Sequence, residues 1–281
     1  MKKGLVLEGG GMRGLFTAGI LDVLMENGIT ADGAIGVSAG AAFGCNIKSG
    51  QIGRALRYNL RFCKDKRYCS LRSLLCTGNL FNADFCYRVV PEQLDLFDAE
   101  AYAKNPMEFY VVATDVRDGH AVYHRCDRVE GKGYEWFRAS ASMPLVSKPV
   151  EIGGRKYLDG GISDSIPLEF FEAIGYEKNL VILTRPAGYE KKPNRLLPLM
   201  RPALLKYPKV YEAMKRRHKC YNRTLRYIAK REQQGKVLVL CPDAPLAVSR
   251  TDRDPERLKE VYRQGRALAL RRLDEIRAFL A

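Results

Sequence analysis

Short runs of consecutive apolar residues alternate along the chain with stretches whose apolar positions recur every three to four residues. Gly4-Leu5-Val6-Leu7-Glu8 reads as a buried strand. Leu15 to Asn27 follows as a helix, with Leu15, Ile20, Leu21, Val23 and Leu24 on its inner face and Gly28 as a left-handed cap. Ala34-Ile35 belongs to a second buried strand, and the small residues Ala39-Gly40-Ala41-Ala42 open a second helix. Downstream, the pattern predicts a helix over 51–62, a polar loop over 64–82 lying across the site, and a helix through Val90. Paired strands are predicted over 108–115 and 121–126 with a turn at Asp118-Gly119, then a helix over 135–142. Val150 and Ile152 face Tyr157 and Leu158 across Gly153-Gly154, a hairpin signal, and a helix over 167–174 and a buried strand over 179–183 follow. Alternating strands and helices predict one large α/β domain with an appendage behind it. The last segment starts at the N-cap Asp254-Pro255-Glu256 and carries Leu258, Val261, Tyr262, Leu273, Ile276 and Phe279 on a core-facing stripe.

The chemistry lies at the turns of this pattern. Ser38 occupies Gly36-Val37-Ser38-Ala39-Gly40, between a strand and a helix, where glycines at 36 and 40 let a nucleophilic serine stand on a strained turn. One strand earlier, Gly9-Gly10-Gly11-Met12-Arg13-Gly14 precedes the first helix and exposes backbone N–H groups at its positive end. Two anions suit such a loop: a dinucleotide phosphate, because Gly9, Gly11 and Gly14 also fit G-x-G-x-x-G, or the oxyanion formed when a serine attacks an ester. The dinucleotide reading lacks an acidic residue at the end of the next strand, where Ser38 stands. A base is needed for Ser38. Asp159 ends the second hairpin strand, and Gly160-Gly161 leaves room beside its carboxylate.

Taken in order, Glu8-Gly9-Gly10-Gly11-Met12-Arg13-Gly14, Gly36-Val37-Ser38-Ala39-Gly40 and Asp159-Gly160-Gly161 resemble the signature blocks of the patatin-like phospholipases. Ala139-Ser140-Ala141-Ser142-Met143-Pro144 with Pro149-Val150 resembles the segment before that family's aspartate. The likeness covers roughly residues 4 to 185; the remainder, with Arg250-Thr251-Asp252, resembles the C-terminal extension of a bacterial branch. The resemblance implies a three-layer α/β/α sheet with helices on both faces over 1–185 and a basic, mainly helical region packed on it over 186–281. It implies a lipid acyl hydrolase with no cofactor and no metal, in which Ser38 is the nucleophile and Asp159 the base of a dyad without histidine. Gly10, Gly11 and Met12 would supply the oxyanion hole, Arg13 would be the loop's basic residue, and Gly9, Gly14, Gly36, Gly40, Gly160 and Gly161 would support loop and elbow. A soluble carboxylester or thioester hydrolase, or an acyltransferase, would use the same dyad. The chain departs from the family at Glu8, where aspartate is common, and at Asp164 or Ser165, where asparagine is common.

Three histidines offer alternatives. The order Ser38, Asp159, His218 matches an α/β-hydrolase triad, but only one strand precedes the elbow and His218 lies in the basic run Lys215-Arg216-Arg217-His218-Lys219. His120 and His124 share a face of an expected strand and could hold a metal, yet no cysteine or carboxylate cluster accompanies them.

Charge adds a second theme. Lys and Arg number 47 against 32 Asp and Glu, for a net charge of +15. The excess gathers after Arg185, interleaved with leucines, which suits a wet helical appendage or a surface that docks on anionic lipid. Nucleic acid is the remaining anionic partner, and no helix-turn-helix, zinc or aromatic-platform signature supports it. Eight cysteines without a C-x-x-C pair, and an N-terminal Met1-Lys2-Lys3 whose following run is broken by Glu8 and Arg13, suggest reduced thiols in the cytoplasm. No segment approaches the ~20 apolar residues of a membrane span.

Overall fold

A computed structural model of the chain describes residues 1–129 and 133–281. At its centre β1 (Lys2–Leu7) lies between β2 (Gly33–Val37) and β7 (Tyr176–Ile182), parallel to both. β8 (Val237–Leu240) continues the parallel sheet beyond β7, and β3 (Glu108–Asp115) continues it beyond β2. β4 (Ala121–Arg125) and the hairpin of β5 (Val150–Ile152) and β6 (Arg155–Asp159) add antiparallel strands, so the sheet is mixed. The central strands are buried on both faces, which is why they read as unbroken apolar runs. Their side chains divide with period two: Leu5, Leu7 and Ala34 enter one core, Val6, Ile35 and Val37 the other.

Helices cover both faces. α1 (Gly14–Glu26), α2 (Ala39–Ser49), α3 (Arg54–Phe62), α10 (Pro255–Arg271) and α11 (Leu273–Leu280) bury their stripes against the first face. α7 (Leu168–Ala173) and the long α9 (Pro208–Gln233) cover the second through Leu168, Phe171, Tyr221 and Ile228. The smaller helices α4 (Leu71–Thr77), α5 (Ala99–Lys104), α6 (Tyr134–Ser140) and α8 (Leu197–Met200) fill the connections. The C-terminal region is mostly helical, yet it also supplies β8 and closes the main core. In α10, Gly265 lies against the Phe16 carbonyl, and the Tyr262 hydroxyl donates to buried Asp22 at 2.6 Å.

Two connections differ from the sequence reading. The expected polar loop over 64–82 contains α4, whose Ser70 hydroxyl accepts from the Ser73 N–H, and Cys69 bridges Phe81. Local capping, which carries no apolar period, builds that segment. The expected helix through Val90 is a π-helix, Phe85–Leu94, with Pro91 inside it; proline cannot donate into a helical ladder, and the turn widens around it.

Candidate active site

Register along β3 assembles the site. β2 pairs with one edge of β3 as far as Val37↔Val112, and β4 occupies the opposite edge. β6 takes the β2 edge from Ala113↔Asp159 onward, running the other way. The carboxyl ends of β2 and β6 therefore meet head-on, with Ser38 after one and Asp159 ending the other.

Ser38 has φ 55° and ψ −121°, a conformation that non-glycine residues avoid and that surrounding bonds must enforce. Its N–H donates to the Ser140 hydroxyl at 2.8 Å. A Cβ at Gly36 would lie 2.6 Å from the Ala41 backbone, and one at Gly40 would lie 2.4 Å from the Leu7 carbonyl oxygen. The elbow thus leaves no room for a side chain on either side of the serine. Ser38 Oγ donates to Asp159 Oδ2 at 2.8 Å. Asp159 Oδ1 accepts the Gly161 N–H at 2.7 Å, the Asp159 N–H donates to the Ser142 carbonyl, and Thr114 Oγ1 donates to the Asp159 carbonyl. Gly160 presses on the Val112 carbonyl, and Gly161 has Asp159 Oδ1 and an Arg217 nitrogen at its α-carbon face.

The glycine loop packs on this pair. Gly9 abuts the Val37 carbonyl and the Ser38 Cβ, and Gly14 abuts Ala39 and Phe43 of α2. A short 3₁₀ turn, Gly11–Arg13, leads into α1. Among the described residues the Gly10 and Gly11 N–H groups have no hydrogen-bond partner. Met12 corrects the sequence reading: its N–H donates to the Arg250 carbonyl at 3.1 Å and is not free for an oxyanion. That carbonyl also sits beside Gly11, whose φ of +59° favours glycine. Arg13 is buried, and its Nε has no partner.

Several contacts around the site had no signal in the sequence. Buried Glu8 accepts from the Thr184 N–H at 2.6 Å and the Tyr221 hydroxyl at 2.7 Å, tying the glycine loop to α9. The longer glutamate reaches a partner that only the C-terminal region supplies. Of the other departing positions, Asp164 accepts from Tyr123, and Ser165 donates to the Gly161 carbonyl and receives Arg217 at 3.5 Å, bracing the aspartate loop. His218 lines the cavity beside the pair, but Ser38 Oγ bonds Asp159 directly with no imidazole between them. His120 precedes β4, and His124 stacks on Trp136 at 4.1 Å.

Burial pushes the Asp159 carboxyl above the usual carboxylate range, opposed by the positive charge of Arg217 and the bond from Ser38. In the role of general base proposed below, it would have to be ionised, and activity would fall as pH drops through this raised value. The acid limb of kcat/KM on a soluble ester should have its midpoint above about pH 4, the ordinary carboxylate value. Arg217→Gln, which removes the charge holding the value down, should move that midpoint higher; a limb at or below pH 4 in both proteins would contradict the assignment.

Two cavities meet at Ser38. One, of about 140 Å³, is apolar and runs between α2, α3 and the π-helix past Phe43, Tyr58, Phe81, Val90, Phe97 and Phe137. The other, of about 630 Å³, opens over Asp159 toward α9.

The family model "Patatin-like phospholipase" matches residues 5–171, which contain the elbow, the loop and the aspartate. The chain belongs to the patatin-like phospholipase family. A second model, "Domain of unknown function (DUF6363)", matches residues 207–281. Among relatives of this patatin-like chain, the uncharacterized protein YjjU of Escherichia coli is 32% identical over 65% of this chain and 52% of its own length. An NTE family protein of Mycobacterium tuberculosis is 26% identical over 68% of this chain and 51% of its own. Lysophospholipase nte1 of Emericella nidulans is 30% identical over 61% of this chain but 11% of its own. The patatin-like chain thus spans about half, or far less, of the length of these relatives. The crystal structure of VipD from Legionella pneumophila aligns with TM-score 0.48 and 13% identity, over 98% of this chain and 67% of that one. No helix among the described residues is long and apolar enough to cross a membrane.

Proposed function

We propose that the patatin-like chain is a serine acyl hydrolase that cleaves fatty-acyl esters of phospholipids or lysophospholipids through a Ser38–Asp159 dyad. The observation that carries this reading is the 2.8 Å bond from Ser38 Oγ to Asp159 Oδ2 on a strained elbow where an apolar cavity meets a polar one. Asp159 takes the hydroxyl proton as Oγ bonds to the acyl carbon, and the Gly10 and Gly11 N–H groups receive the negative oxygen. The intermediate collapses, the ester C–O bond breaks, and the departing alcohol takes the proton back from Asp159. Water, deprotonated by the same carboxylate, then attacks the acyl-enzyme; the acid leaves and Ser38 recovers its proton. The apolar cavity suits an acyl chain, which favours lipid esters over small soluble ones or thioesters.

The surface supports work at a lipid aggregate. Leu71, Leu75, Leu145, Leu196 and Leu199 are exposed, and each lies within a few residues of a cavity-lining position, with basic Arg195 and Arg201 alongside. A peripheral contact with anionic membrane follows from that pairing, and a cytoplasmic enzyme could make it. Incubation with a fluorophosphonate followed by peptide mapping should place the label on Ser38 alone, and hydrolysis should increase with acyl length. Labelling at another residue, or none in folded protein, would undo the reading.

A further inference from the structure

The polar cavity has an unusual charge inventory. Among the described residues its only carboxylates are Glu8 and Asp159, and both are hydrogen-bonded: Glu8 to Thr184 and Tyr221, Asp159 to Ser38 and Gly161. Against them the same cavity is lined by exposed Lys192 and by five further cations, Arg13, Arg185, Lys191, Arg217 and Arg250. Among the described residues none of these five forms an ion pair, although twenty ion pairs occur elsewhere in the chain. The Nε atoms of Arg13 and Arg217 are buried with no partner at all, and Arg13 is 6% exposed. Lys191 is held over the Tyr221 ring at 4.2 Å and Arg185 over Tyr189 at 4.8 Å, so the group is positioned rather than waving in solvent.

Gathering like charges away from water is costly, and the costs show. Burial, with the charge of Arg217 next, pulls Lys191 down to about 7; burial and Arg185 pull Arg13 down to about 10. Glu8 and Asp159 offset only part of this charge, and the excess of buried cations destabilises a fold unless something anionic enters it. Arg13, Arg185, Lys191 and Arg217 line the polar cavity alone and Arg250 lines both, so an ester whose acyl chain occupies the apolar cavity would place its alcohol portion among these cations.

We propose that this cavity is a subsite for a phosphate-bearing headgroup of net negative charge, so that the ester cleaved at Ser38 belongs to an anionic lipid. The proposal deepens the acyl-hydrolase reading and rests on it. Arginine guanidinium groups suit phosphate oxygens through paired N–H donors, and Lys191 regains its full charge beside an anion. A choline or ethanolamine headgroup would bring a cation into a cavity already rich in them. Three of the five side chains, Lys191, Arg217 and Arg250, come from beyond residue 185, which assigns part of the C-terminal basic excess to the site.

The test compares three esters of one acyl chain: lysophosphatidic acid, lysophosphatidylcholine and monoacylglycerol. Wild-type protein should show kcat/KM at least tenfold higher on the first than on either other, with the advantage shrinking as salt rises. Arg185→Met with Lys191→Met should lower kcat/KM at least tenfold more for lysophosphatidic acid than for monoacylglycerol. Lys191→Met alone, at a half-buried side chain without an ion pair, should move it the same way by at least threefold. A readout without turnover separates this proposal from the one beneath it: Ser38→Ala should bind glycerol 3-phosphate by calorimetry, more tightly than inorganic phosphate, and lose that binding in the double variant. Fluorophosphonate labelling of Ser38 with equal turnover of all three esters overturns the subsite and leaves the hydrolase intact. Absence of labelling overturns the hydrolase. Inorganic phosphate binding as tightly as glycerol 3-phosphate overturns the headgroup assignment.

Discussion

Ser38→Ala and Asp159→Asn are each expected to lower kcat/KM for a lipid ester by roughly 10⁴-fold or more, because the two members of the proposed dyad would fail together when either is removed. The structure distinguishes this outcome from unfolding. Asparagine keeps the shape of Asp159, and the backbone bonds to Ser142 and Thr114 remain. The raised carboxyl value sharpens the contrast through linkage. Neutral Asp159 favours the folded state at low pH, and that contribution is lost as pH rises from the unfolded carboxylate value through the higher folded one. At neutral pH the ionised side chain is thus a stability cost. Asp159→Asn should therefore melt at or above the wild-type temperature while its turnover disappears. An inactive Asp159→Asn protein that melts well below wild type would point to a structural role, and substantial turnover by either variant would refute the dyad.

Gly40→Ala is the second large effect, and it combines stability with chemistry. The added Cβ would meet the Leu7 carbonyl at 2.4 Å and the Glu8 carbonyl at 2.8 Å. Both are backbone atoms of buried residues, one ending the central strand and the other just beyond it, so no flexible side chain can yield. Overpacking of this kind costs typically ~1–3 kcal/mol and more where backbone must move. Relief requires α2 to lift from β1, carrying Ser38 away from Gly10, Gly11 and Asp159 together. A displacement near 1 Å in a reacting group costs about 100-fold. Chemical denaturation should show a loss of about 3 kcal/mol, and the variant that remains folded should be at least 100-fold slower with weaker fluorophosphonate labelling. Wild-type stability and labelling rate in Gly40→Ala would show that the elbow is looser than its packing implies.

Much of the architecture was legible along the chain because local rules governed it. Leu5-Val6-Leu7 and Ala34-Ile35 are buried on both faces, so their apolar runs announced strands, and Gly28 announced the end of α1. The segment from 64 to 82 was not legible, since capping by Ser70 leaves no hydrophobic period. The Met12 N–H was not legible for a different reason: a residue 238 positions later, Arg250, takes it. No local pattern can record a bond of that kind.

By itself the sequence determined the family, the turn that carries Ser38 and the glycine loop, since each depends on small residues at fixed short spacing that steric exclusion requires. Only the tertiary structure decided where Asp159 lies, because its approach to Ser38 depends on β2 and β6 meeting along one edge of β3. Folding likewise decided the meaning of the basic C-terminal region. Net charge is a sum over residues, blind to direction; packing of α9 and the segment before α10 turned part of that charge inward, onto the site.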